Sequence, residues 1–316
     1  AGLDQSLVGG HVGQVQIVGI DGERIGLLGG HGCILGYRDW ESGPGPARPQ
    51  ARSAGKPAAG ERGPSRLSLR EFPMQLLAMR ESVPPWPNRL GAPLANTSFA
   101  VMNHAIGRMR WLGVDIMHTA RSFDVYRRMF YRNRSASRVL SDLEGKRVVD
   151  VACGYTPYAP DSMYQACETA GIEFYGVDPV LSEPLEPGFA DRMLAKWTGG
   201  SGQFLSDPPG MERAIDATAQ SLPFEDGSVD EILCGFLLWV WIEDDIALAD
   251  IFREMSRVLV RGGTVRLFPL PQWRRLGPTH PALQDALADF EMSQHFVLGN
   301  QRSKTMSAML TTLVKL

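Results

Sequence analysis

The stretch Lys146-Arg147-Val148-Val149-Asp150-Val151-Ala152-Cys153-Gly154-Tyr155-Thr156 decides how the rest of the chain is read. Val148 to Val151 is a short β-branched run that leads into small residues, which predicts a strand ending in a tight turn. A helix through Ala170 is expected next, and then the unit repeats. Ile172–Val177, ending at Asp178, reads as a second strand, and a Pro- and Gly-punctuated section (179–212) follows it. Ala214-Ile215-Asp216 reads as a third strand and Asp230–Phe236 as a fourth. Ile246–Leu259 has amphipathic helical spacing, and Gly262-Gly263 turns into a fifth strand, Thr264–Leu270. Repeated strand-helix units predict a parallel sheet covered by helices on both faces. Glu291–Leu298 and Met306–Val314 add two strands without a convincing helix between them. The expected fold class is therefore α/β: a doubly wound, mostly parallel sheet of seven strands, closed by an antiparallel C-terminal edge strand.

Upstream of residue 145 the texture differs. Apolar positions recur at three- and four-residue spacing through Leu67–Arg80, Phe99–Leu112 and Ala120–Tyr131, so residues 67–144 are expected to form an N-terminal helical cap on a domain spanning 145–316. Residues 1–66 read differently again. The first 40 residues hold eleven glycines, with a possible hairpin of Val15–Val18 and Arg24–Leu28 around Asp21-Gly22. Of the 22 residues 43–64, fifteen are Gly, Pro or Ala and four are Lys or Arg, too little apolar surface to offset chain ordering. The segment is expected to be flexible, or to be appended sequence, since the first methionine is Met74.

Composition removes several function classes. With 316 residues, 44% hydrophobic and 21% charged, the chain is globular in type, and a net charge of −3 gives no general pull toward nucleic acid or an anionic membrane. The longest apolar run, Ile232 to Ile242, is too short to cross a bilayer, and no secretory signal pattern opens the chain. Cys33, Cys153, Cys167 and Cys234 are scattered without a Cys-x-x-Cys, which fits a reducing cytosol and predicts neither disulfides nor a metal site. Between Arg108 and Arg138 stand eight arginines; residues 224–250, with eight acidic groups and no Lys or Arg, are the expected docking surface for that basic face. A small-molecule partner is expected, not a nucleic acid or a membrane.

In a doubly wound sheet, ligands sit beyond the carboxyl ends of the strands, near the point where strand order reverses. Asp150 and the turn Ala152–Thr156 follow the first strand, Asp178 the second, Asp216-Ala217 the third, and Phe236-Leu237 the fourth. Singly, each acid reads as a strand-terminal or helix-capping residue. Three at consecutive strand ends point instead to a ligand with paired hydroxyls, and Asp178 lies 24 residues past Gly154, near the spacing of ribose-binding acids. Gly154-Tyr155-Thr156-Pro157-Tyr158-Ala159 is not a G-x-G-x-x-G turn, which argues against a dinucleotide oxidoreductase, and there is no P-loop.

Val148–Thr156, Asp178, Asp216–Asp230 and Ile246–Leu270 together resemble the successive motifs of class I S-adenosylmethionine-dependent methyltransferases, especially small-molecule and quinone C-methyltransferases. The resemblance covers about residues 140–270 and implies a Rossmann-like fold and S-adenosyl-L-methionine as cofactor. It implies that Asp150, Ala152, Cys153, Gly154 and Thr156 hold the methionine part, Asp178 the ribose, and Asp216 and Ala217 the adenine. Phe236 and Leu237 would line the space under the sulfonium. The sequence departs from the family's glycine-rich turn, which has small residues at the positions of 152, 154 and 156: Thr156 replaces the last of them, and Tyr155, Pro157 and Tyr158 crowd the turn.

That departure raises a further expectation. Phe123, Tyr126 and Phe130 share one helix face with Tyr131 adjacent; such a stripe is usually core, yet aromatic faces also attract a sulfonium. With Tyr155 and Tyr158 they would cap the site, and Tyr126, Tyr155 and Tyr158 are the candidate catalytic residues. The favoured activity is methyl transfer to a small molecule. The alternative, on a weaker resemblance to azetidine-2-carboxylate synthases, is cyclisation of S-adenosylmethionine with release of methylthioadenosine; a silent cofactor-binding domain is a third. No histidine falls at a strand end, and His104, His118, His280 and His295 are expected to be surface or packing residues.

Overall fold

A computed structural model describes residues 86–113, 118–182, 187–277, 280–300 and 305–316. The chain divides into Ala1–Arg66 and Leu67–Leu316, and everything described belongs to the second unit. The expected hairpin, the Gly/Pro/Ala-rich segment and the helix over Leu67–Arg80 lie outside the described residues.

Seven strands form one sheet: β1 (Arg147–Val151), β2 (Glu173–Val177), β3 (Ala214–Ile215), β4 (Val229–Gly235), β5 (Leu259–Leu270), β6 (Phe290–Val297) and β7 (Ala308–Lys315), in the order β3-β2-β1-β4-β5-β7-β6. The first five are parallel, and β7 runs antiparallel between β5 and β6. The C-terminal strand is thus the antiparallel one, and it lies one place in from the edge, which β6 forms. Order reverses between β1 and β4, which opens the crevice beyond their carboxyl ends. β1 shows why: Val148, Val149, Asp150 and Val151 are all buried, as in a strand covered on both faces.

The helices are α1 (Trp86–Trp111), α2 (Phe123–Met129), α3 (Ala136–Leu143), α4 (Met163–Ala170), α5 (Phe189–Trp197), α6 (Asp245–Val258), α7 (Trp273–Leu276) and α8 (Pro281–Leu287). Their ends follow capping chemistry. Ser135, Ser162 and Asp244 accept from backbone N–H groups at the starts of α3, α4 and α6, and Gly171 ends α4 in the left-handed region. α5 sits inside the section that Pro and Gly had marked as irregular, because those residues flank the helix rather than interrupt it.

The helices before β1 do not gather into one cap. Phe99 and Ile106 of α1 share a core with Leu248 and Phe252 of α6, Leu283 of α8 and Leu313 of β7. Val125, Met129 and Phe130 share a second core, on the other face, with Val139, Met163 and Leu310. α1 runs along β5, β7 and β6, whose own crossover helices α7 and α8 are short. At Gly91 a Cβ would come 2.2 Å from the Phe296 ring, so only glycine permits this approach. Asn88 seals the edge of β6: its amide donates to Gln294 O at 2.7 Å and accepts from Phe296 N at 2.8 Å. Among the described residues, no helix is long and apolar enough to cross a membrane.

The basic stretch behaves differently from expectation. Among the described residues, Arg110 is the arginine of this stretch that pairs with an acid of that segment, meeting Glu243 at 3.5 Å and donating to Val240 O and Trp241 O. Arg127 and Arg128 bind Asp124 and Arg138 binds Asp142 at i,i+3 or i,i+4 helical spacing, and Arg134, just before α3, reaches the same Asp142.

Candidate functional site at the carboxyl ends of the strands

The turn after β1 winds tightly, with Ala152 at φ 62° and Gly154 at φ 56°. Strain at a non-glycine residue of this kind gathers where a backbone must present its groups in one direction. Gly154 is required for a reason the sequence did not show: a Cβ there would lie 2.6 Å from Thr119 O. Residues 118–122 thread over the turn, with Tyr155 N donating to Thr119 O at 3.2 Å and Phe123 N to Asp161 O at 2.8 Å.

Thr156 is fully buried and closes a polar chain. Its hydroxyl donates to Cys153 O at 2.6 Å and lies 3.3 Å from Tyr126 Oη, which donates to Asp150 Oδ2 at 2.5 Å. Burial foremost pushes the Asp150 carboxyl up to about 7, against the Tyr126 hydrogen bond and the charge of Arg121, which pull it down. The Tyr126 phenol is raised well above its usual value, again by burial first and then by Asp150, so it stays a donor. Cys153 is a buried thiol raised the same way, which leaves it in its neutral form.

Asp178 is oriented by the backbone. Oδ2 accepts from Gly154 N at 2.9 Å and Oδ1 from Val180 N at 3.0 Å, so the carboxylate joins the ends of β1 and β2. His118 Nδ1 stands 3.5 Å from Oδ1, with its side chain 28% exposed. That places a histidine at a strand end after all, brought there by the threaded segment rather than by its position in sequence. Asp216 is exposed just past β3, with Ala217 half-buried beside it.

After β4, Phe236 turns the chain at φ 61°, and its N donates to Phe268 O at 2.7 Å. The Arg121 guanidinium carbon lies 4.4 Å over the Phe236 ring. Arg121 is a second residue that the sequence reading passed over, as one of eight arginines. Leu237 packs against the large core, and its carbonyl accepts from Trp241 N at 2.8 Å in the turn that follows.

The aromatic cage is not assembled. Of the stripe, Tyr126 bonds to Asp150 near the end of β1, the wholly buried Phe130 packs its ring against Gly235 at the end of β4 as part of the core, and Phe123 lies against the same cluster. The Tyr131 ring lies under the Arg266 guanidinium at 5.1 Å, and Arg266 also donates to Phe130 O, which fixes α2 to the sheet. Tyr158 is buried with Cys153 and Leu181. Tyr155 is half-buried, 5.9 Å from the His118 ring and edge-on to Phe204 at 6.2 Å. Helix spacing placed these rings on an inward face, and that face meets the sheet.

The sheet order and the antiparallel β7 define the Rossmann-like methyltransferase fold. Residues 193–267, from α5 through most of β5, match the family model described as a methyltransferase domain. No curated protein matches the chain. Among solved structures, a SAM-dependent methyltransferase from Methanosarcina mazei is 17% identical over 56% of this chain and 97% of its own, with a TM-score of 0.35. Geranyl diphosphate C-methyltransferase from Streptomyces coelicolor is 16% identical over 59% and 80%, at 0.32. A possible histamine N-methyltransferase from Thermotoga maritima is 14% identical over 69% and 100%, also at 0.32.

Proposed function

We propose that this protein is an S-adenosylmethionine-dependent methyltransferase acting on a small molecule. The observation that carries the reading is the row of acids at adjacent strand ends: Asp150 one residue before the end of β1, Asp178 after β2 and Asp216 after β3, with Asp178 held by Gly154 N and Val180 N at 2.9 and 3.0 Å. A carboxylate whose inner lone pairs are already satisfied presents the remaining ones to paired hydroxyls without reorganising. Asp178 would take the ribose, Asp216 and Ala217 the adenine, and the turn Ala152–Thr156 the methionine end. The bound cofactor would supply an electrophilic methyl group.

The chain's own part is placement. Tyr126, Asp150 and Thr156 hold the turn in one shape, and Phe236 forms the floor beyond β4, so an acceptor would be aligned rather than activated. A small acceptor is supported by the local pairing of Arg110, Arg127, Arg128, Arg134 and Arg138, five of the eight arginines between Arg108 and Arg138, which among the described residues reduces the bare basic surface that a nucleic acid would need.

Titration calorimetry with S-adenosylhomocysteine tests the reading. The wild type should bind, and Asp178→Ala should lose on the order of a hundredfold in affinity, as expected for two charge-assisted hydrogen bonds. A wild-type protein that does not bind S-adenosylhomocysteine would remove the proposal.

A further inference from the structure

Arg121 has no assigned role in the site just described, and its environment is unusual for an arginine. It is half-buried at the crevice between β1 and β4, with the Phe236 ring covering one face of its guanidinium. Among the described residues, no carboxylate lies within ion-pair distance of it and its guanidinium makes no hydrogen bond. Other half-buried arginines of this chain are satisfied: Arg266 pairs with Glu231 at 2.7 Å, and Arg257 with Glu254 and Asp226. Stacking on a ring leaves the edges of the planar fork free, and those edges match an oxyanion in two parallel hydrogen bonds.

We propose that Arg121 binds the oxyanion of the acceptor, a carboxylate or phosphate, so that the acceptor of this enzyme is an anion. The inference rests on the methyltransferase reading above and names the substrate class of that same site. Phe236 follows β4, the strand that borders the transfer space. A bound cofactor's sulfonium would be a second positive charge near the half-buried Arg121 guanidinium, and an anion between them would offset that repulsion. Asp150 offsets Arg121 only at longer range, and its carboxyl, pushed up to about 7, is partly neutral at physiological pH. An acceptor anion supplies the missing charge, and its pairing with Arg121 fixes which of its atoms faces the methyl group.

The test uses the full chain loaded with S-adenosylhomocysteine, with inorganic phosphate and benzoate as probes and benzamide as the neutral twin of benzoate. In thermal-shift titrations, benzoate or phosphate should stabilise the loaded wild type while benzamide does not. Arg121→Gln should abolish that response and Arg121→Lys should keep part of it. Both variants should bind S-adenosylhomocysteine within about twofold of wild type, which also shows that they fold. The proposal is overturned if neither anion stabilises the loaded wild type. It is equally overturned if Arg121→Gln loses tenfold or more in S-adenosylhomocysteine affinity while 5′-methylthioadenosine, which lacks the amino acid carboxylate, binds as before; Arg121 would then serve the cofactor's own carboxylate. Failure of the unmodified protein to bind S-adenosylhomocysteine at all sinks the function itself and is a separate result.

Discussion

Tyr126 donates its phenolic proton to Asp150 across 2.5 Å, and this contact joins α2 to β1 beneath the turn that presents Gly154. Both groups are buried, so neither has water as a substitute partner. Tyr126→Phe leaves a buried carboxyl without its donor and should cost about 1–3 kcal/mol in denaturant unfolding. The loss should be greater at pH 8 than at pH 6, because the ionised form of Asp150 depends on the phenol more than the neutral form does. Equal losses at both pH values would show that Asp150 does not titrate in this range.

The same carboxyl predicts the pH dependence of folding. In the folded chain its pKa is about 7, while in the unfolded chain it takes the ordinary aspartate value near 3.9. Between those values the folded state holds a proton that the unfolded state has released. The stability this proton confers is complete below about pH 4 and is lost as pH rises through 7. Asp150→Asn should therefore gain on wild type, in thermal melts, as pH goes from about 5 to 8. Parallel melting curves across that range would contradict the assignment.

The strands were legible because each buried strand of a parallel sheet is a short β-branched run ended by small or polar residues. Val148–Val151 carries that signal, Ile172–Val177 carries a mixed one with Phe174 and Tyr175 between its two β-branched ends, and β7 carries it despite its reversed direction. The three strand-end acids were legible for the same reason, since a strand's end fixes where the next residue stands. His118, Thr119 and Arg121 were not legible. They belong to a segment whose path over Gly154 is set by tertiary contact, through Tyr155 N to Thr119 O, and no local periodicity encodes it. The aromatic stripe misled for the opposite reason: spacing shows that Tyr126 and Phe130 share a face, while the neighbouring layer decides that Phe130 meets the core and Tyr126 meets Asp150.

Two neighbouring turn positions predict changes of opposite sign. Gly154→Ala puts a Cβ 2.6 Å from Thr119 O at φ 56°, so both sterics and backbone conformation oppose it. A loss of about 2–4 kcal/mol is expected, with weakened cofactor binding. Ala152→Gly relieves a left-handed alanine at φ 62° and should raise stability by up to about 1 kcal/mol. Denaturant midpoints measured side by side decide both; a destabilised Ala152→Gly would mean that the alanine methyl is needed for packing.

His118 Nδ1 shares the outer side of Asp178 that the ribose hydroxyls would use, at 3.5 Å from Oδ1. A partly exposed pair of this kind is worth at most about 1 kcal/mol. Removing it by His118→Ala should therefore tighten S-adenosylhomocysteine binding by about two- to fivefold in calorimetry. A weaker complex would instead assign the imidazole to the ligand, as a wall of the ribose site beside Tyr155.

Gly91 and Phe296 test whether α1 is part of the folded sheet or only leans on it. A methyl group at 91 would overlap the ring at 2.2 Å, and Asn88, one turn earlier, is tied to β6 on both sides of Phe296 N and Gln294 O. The helix cannot back away without breaking those bonds, so Gly91→Ala should cost about 1–3 kcal/mol. Phe296→Ala alone should cost a similar amount by leaving its space empty. The double variant should lose clearly less than the two losses added together, because the new methyl then enters the vacated space, and a double-mutant cycle on denaturant unfolding measures that coupling. Simple additivity would show that α1 and β6 yield independently, and that the Asn88 contacts do not hold the helix against the sheet.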